Sequence, residues 1–92
     1  MNNLTTKDFA GKLRDVFMEH GLTAVVGIRE GALVLSWEVA NLGNELHKAK
    51  MLIADLAYKL GFEHHFANPG PAALNEISGK YEKEFIVRPI AE

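Results

Sequence analysis

Apolar residues recur every three or four positions over two stretches of this chain, and every second position over the segments that follow each stretch. The first stretch places Phe9, Leu13, Val16, Phe17 and His20 at i, i+4, i+7, i+8 and i+11, which is one face of a helix. Lys7, Gly11, Arg14 and Met18 fall on the other side. Thr5 or Thr6 is suited to the N-cap, with Asp8 three residues after Thr5 as the acid of a capping box. Gly21 supplies a left-handed stop, and Leu22 the apolar residue that folds back on the last turn.

From Thr23 to Val39 the period drops to two. Ala24, Val26 and Ile28 alternate with Val25, Gly27 and Arg29, and Leu33, Leu35, Trp37 and Val39 with Ala32, Val34, Ser36 and Glu38. Glu30-Gly31 between the runs reads as a tight hairpin turn. The face bearing Leu33, Leu35 and Trp37 is expected to meet the core.

A second helix is expected from Asn41 or Asn44 to Leu60, with a core stripe of Leu42, Leu46, Ala49, Ile53, Leu56 and Leu60. It ends at Leu60-Gly61-Phe62 as the first ends at His20-Gly21-Leu22. A short strand then carries Phe62, His64 and Phe66 on one face. Asn68-Pro69-Gly70-Pro71 breaks the chain, and the residues from 67 to 80 read as a long loop or a short helix, with Ala72 to Ile77 as the helical part. Glu82 to Arg88 forms the last strand. The element order αββαββ predicts an α+β, two-layer sandwich in which two helices cover one face of a four-stranded antiparallel sheet.

Ninety-two residues form a single compact domain on this reading, 1–92, with 48% hydrophobic and 24% charged residues. With no cysteine, there are no disulfides, no disulfide-linked partner, no thiolate nucleophile and no cysteine-based zinc site. A net charge of −2 gives no general attraction to nucleic acid. Neither a signal peptide nor a membrane-spanning run is visible, which points to a soluble, cytoplasmic protein.

Chemistry-bearing motifs are scarce. The only serines are Ser36 and Ser78, and neither lies in a nucleophile elbow. His64 and His65 are adjacent on a strand and leave by opposite faces, His20 and His47 lie on separate helices, and no metal or cofactor is expected. One polar set is placed on the outer sheet face: Glu38, Glu63, His65, Glu84 and Arg88. A carboxylate beside His65 would make a ligand-binding domain or small enzyme conceivable, while an ordinary solvated sheet face accounts for the same residues. Lys80, Lys83 and Arg88 interleave with aromatics as in single-strand nucleic-acid surfaces, but Glu82 and Glu84 interrupt them.

Surplus apolar surface is the stronger signal. His47, Met51, Ala54 and Tyr58 form a second stripe on the second helix, opposite its core stripe, with Glu45, Lys48, Asp55 and Lys59 to one side. Val25, Gly27, Ala32 and Val34 leave the outer side of the first hairpin apolar. His47, Met51, Ala54, Tyr58, Val25 and Val34 are therefore the expected interface residues of a non-enzymatic interaction or regulatory module whose partner is another protein or itself, most simply as a homodimer.

Overall fold

Helix α1 (Thr6–Glu19) begins with a complete capping box. The Asp8 N–H donates to Thr5 Oγ1 at 3.2 Å, and the Thr5 N–H donates to Asp8 Oδ2 at 2.8 Å. The bond from the Thr5 backbone foremost, and a second from the Thr5 hydroxyl to Asp8 Oδ2 at 3.0 Å, hold the Asp8 carboxyl below the usual carboxylate range. The helix ends in a Schellman motif: the Leu22 N–H reaches the Phe17 carbonyl at 2.9 Å and the Gly21 N–H the Met18 carbonyl at 3.2 Å. That closure needs a left-handed residue, and Gly21 has φ 70°. His20, placed by periodicity on the buried stripe, is instead the exposed C-cap, because the helix stops one residue before it.

The computed structural model describes residues 4–66 and 72–90. After α1 come β1 (Val25–Arg29), β2 (Ala32–Trp37), α2 (Val39–Leu60), β3 (Phe62–Phe66), β4 (Ala73–Asn75) and β5 (Lys80–Pro89). Glu30 and Gly31, at φ 52° and 82°, make the β1–β2 turn with both central residues left-handed. Helix α2 starts earlier than either asparagine: β2 pairs with β5 as far as Trp37, so only Glu38 separates strand from helix. Gly61 ends α2 at φ 75°, donating its N–H to the Ala57 carbonyl.

The antiparallel sheet has the order β1-β2-β5-β3, with β4 also paired to β5. β2 pairs with residues 81–85 of β5, β3 with 85–89 and β4 with 80–82. Since β4 and β2 share part of β5, β4 must lie on the opposite edge, end to end with β3. Five strands therefore occupy four lanes, and the fourth lane is interrupted beside Lys83 and Glu84. The expected α+β sandwich holds, with one strand more than expected. The helical turn expected at 72–77 is β4 and a turn instead. Asn75 is the reason: its Oδ1 accepts from the Ile77 N–H at 2.9 Å and the Ser78 N–H at 3.3 Å, and its carbonyl from the Gly79 N–H at 2.8 Å. This side-chain turn folds the chain back onto β5. Asn68 to Pro71 lie outside the described residues.

Both helices cover the same sheet face. Phe9, Ala10, Leu13 and Phe17 from α1 and Ala49, Ile53 and Ala57 from α2 join Val26, Leu33, Leu35, Trp37, Phe62, Phe85 and Val87 in one buried cluster. Leu46, Leu56 and Leu60 pack at its edge as expected; the Leu42 side chain lies outside the described set. Phe9 and Phe62 meet with ring centroids 5.1 Å apart and planes tilted by 40°, tying α1 to the far lane of the sheet. At the opposite edge, Arg14 Nε donates to the Val26 carbonyl at 3.1 Å. That bond occupies an outward acceptor of the edge strand β1 and so discourages stray strand pairing.

Candidate interaction surface

Helix α2 is two-sided. At about 100° per residue, His47, Met51, Ala54 and Tyr58 fall within an arc of roughly 60°, opposite Ala49, Ile53 and Leu56. Met51 is 60% exposed and Tyr58 89%, His47 is exposed and Ala54 half-buried. The flanking charges have tasks of their own. Asp55 Oδ2 and Lys59 Nζ are 2.9 Å apart, and Lys48 Nζ donates to the His20 carbonyl at 3.4 Å. Glu45, read from sequence only as a flank charge, is a structural bracket. Its Oε1 accepts from the Thr23 N–H at 2.7 Å and from Trp37 Nε1 at 3.2 Å, while Oε2 accepts from the Thr23 hydroxyl at 2.7 Å.

The outer side of the first hairpin differs from expectation. Val25 is 54% exposed, but Val34 is only 5% exposed and Ala32 6%. Val34 is thus unavailable as an interface residue. Its cross-strand row is Gly27–Val34–Glu84, between the rows containing Arg29 and Glu82. Arg29 reaches diagonally over this row and grips Glu82 with two parallel bonds, Nη1 to Oε1 and Nη2 to Oε2, each 3.0 Å. Nη1 is also 3.6 Å from Glu84, and Asn75 Nδ2 donates to Glu82 Oε2 at 3.2 Å. The ionic roof excludes water from Val34. The register across three strands brings these groups together, so only a correct strand order could have revealed them.

Arg29, through its hydrogen bonds, holds Glu82 below the usual glutamate range, and Glu82 raises Arg29 in return. A carboxyl depressed in the folded state stabilises the fold above its unfolded pKa and loses that contribution as pH falls through the folded value. Glu82→Gln is therefore expected to lower Tm at neutral pH and to flatten its fall on acidification. Thermal melts between about pH 7 and pH 3 check this, and an unchanged acid limb would contradict it.

The polar set around His65 divides. Glu63 and Arg88 are register partners on β3 and β5 and form an ion pair. His65 is exposed on the same face but stands opposite Ile86, and Glu84 is turned toward Arg29. Glu38 leaves the sheet altogether as the exposed N-cap residue of α2. His64 and His65 border a small cavity of about 200 Å³ with Lys50 and Phe85. Among the described residues no group of three or more His, Cys, Asp or Glu could hold a metal ion.

Nor do Lys80, Lys83 and Arg88 share a surface. Lys83 is opposite Leu35 on the helix-facing side and only 5% exposed, whereas Lys80 and Arg88 belong to the outer face and Arg88 is paired with Glu63. Among the described residues no helix is long and apolar enough to cross a membrane.

Besides Ile28, Leu74, Ile77 and Ile90, the exposed large apolar side chains among the described residues gather on the outward stripe of α2 and at the α1–β1 edge, where Met18 is 79% exposed and, with Val25, Arg14 and Leu22, borders a cavity of about 280 Å³. The α2 stripe is the more regular of the two. No family model, curated protein or solved structure matches this chain.

Proposed function

We propose that this protein is a small, non-enzymatic interaction module that associates with itself through the outward face of α2. The observation carrying the proposal is the exposure of Met51 and Tyr58, at 60% and 89%, on the same helix face as His47 and Ala54. A solvated helix back is normally charged. Here the charges are displaced to the flanks, which is the distribution of an interface core with a polar rim. Methionine and tyrosine suit such a core: one adapts its shape, and the other combines a large apolar ring with a polar tip. A cytoplasmic setting belongs to the same proposal, supported by a fold held together without cysteine.

Tyr58→Glu tests the assignment, with Val25→Glu on the opposite layer as the comparison. Light scattering over a range of concentrations is expected to show weaker association for Tyr58→Glu and none of that loss for Val25→Glu, with Tm nearly unchanged in both. Surface substitutions usually alter stability by no more than about 0.5 kcal/mol. Association that survives Tyr58→Glu undiminished would remove α2 from the interface.

A further inference from the structure

We infer that the occupant of the α2 face is a second copy of this chain, and that the two α2 helices cross antiparallel about a twofold axis at the level of Leu52 and Ile53. The inference rests on the proposed role of α2 and concerns its partner and geometry. Along the stripe the steps are four, three and four residues, the a/d spacing of a helix pair, with Met51 and Tyr58 at a and His47 and Ala54 at d. The pattern is symmetric. Numbers 47 and 58 have the same mean as 51 and 54, so one twofold axis sets His47 against Tyr58 of the second copy and Met51 against Ala54 of the second copy. The protruding methionine thereby meets the smallest residue of the stripe, and each ring meets a ring. A parallel pair would instead stack Met51 on Met51 and Ala54 on Ala54.

The flanks agree with the antiparallel arrangement. In an antiparallel pair related by a twofold axis, each flank faces the same flank of the partner. Lys48 and Asp55 lie on one flank of α2, both at e positions, and the axis carries Lys48 to within two residues, about 3 Å of helix rise, of Asp55 in the second copy. Two oppositely charged pairs form at once, one at each end. Lysine has three N–H donors and a carboxylate two oxygens, so these pairs add to the existing bonds of Lys48 with His20 and Asp55 with Lys59. Opposed helix dipoles favour the same orientation.

The stripe from His47 to Tyr58 rises only about 16 Å, so the buried area falls short of the roughly 800 Å² per partner typical of stable complexes. The dimer is accordingly weak, in exchange with monomer from micromolar to near-millimolar concentration.

Charge exchange tests the geometry, read by sedimentation equilibrium on the full chain. Lys48→Glu and Asp55→Lys are each expected to weaken dimerisation by about tenfold, and the double variant to restore it, since each single change sets like charges face to face at two places. Weakening by Asp55→Lys alone, without rescue, would overturn the inference in favour of a parallel pair, where Lys50 faces Asp55. If neither charge change matters while Tyr58→Glu still dissociates the protein, α2 remains the interface and the antiparallel register is wrong. If Tyr58→Glu is also without effect, the reading of α2 itself fails.

Discussion

Trp37→Ala is expected to lower the melting temperature by about 15–30 °C, more than any other truncation to alanine in this chain. Trp37 is the largest fully buried side chain, 1% exposed, at the end of β2 where sheet and helix layers meet. Removing a buried aromatic side chain costs about 3–5 kcal/mol, against a total stability of roughly 5–14 kcal/mol for a chain of this length. The indole also carries a bond that alanine cannot replace. Trp37 Nε1 donates to Glu45 Oε1, and the same carboxylate holds Thr23 just after the first helix stop. Loss of the ring thus opens a cavity and loosens the bracket joining α2 to the entry of β1. Trp37→Phe should fall between, retaining most of the packing without the Nε1 bond. Thermal melts followed by far-ultraviolet circular dichroism measure both; equal stability of Trp37→Ala and wild type would contradict the placement of the core.

The second large effect is a contrast within one helix. Ile53→Glu is expected to prevent folding, while Met51→Glu, two residues away, is expected to leave Tm within a few degrees of wild type. Ile53 is fully buried in the core cluster shared by the helices and the sheet, where an ionised carboxylate would lack water, whereas Met51 is 60% exposed. Burying an unpaired carboxylate, or protonating it to avoid the charge, costs several kcal/mol in addition to the lost packing. An exposed glutamate in mid-helix costs little. Circular dichroism separates the outcomes, and a folded Ile53→Glu would show that the inward face of α2 has been misplaced.

These contrasts show which parts of the molecule the sequence exposes to reading. Helix faces and stops are local, so the two stripes of α2, the Thr5–Asp8 capping box and the closures at Gly21 and Gly61 follow from spacing alone. The first hairpin is equally local, because Glu30-Gly31 joins two runs of matching period. What failed depends on strand order or on competition between neighbouring signals. Pro71 suggested a helix start, yet Asn75 folded its own backbone into a turn and sent Ala73–Asn75 alongside β5. Val34 alternates with the core residues and so reads as solvent-facing. Only the register across β1, β2 and β5 shows that Arg29 and Glu82 close over it. Likewise, the contribution of Glu45 depends on Thr23 and Trp37 arriving beside it, which no periodicity encodes. The candidate surface on α2 was legible because helix geometry alone creates it, while the polar set around His65 divided because Glu38 became the N-cap of α2 and Arg29 drew Glu84 toward itself.

The central claim, that α2 turns its second apolar face to another copy, is tested most directly by the mass of the protein in solution. Sedimentation equilibrium of wild type from micromolar to near-millimolar concentration is predicted to show a mass rising from 10.2 kDa toward twice that value, with Met51→Glu remaining at the monomer mass throughout. A wild-type mass that stays at 10.2 kDa over the whole range would contradict the claim.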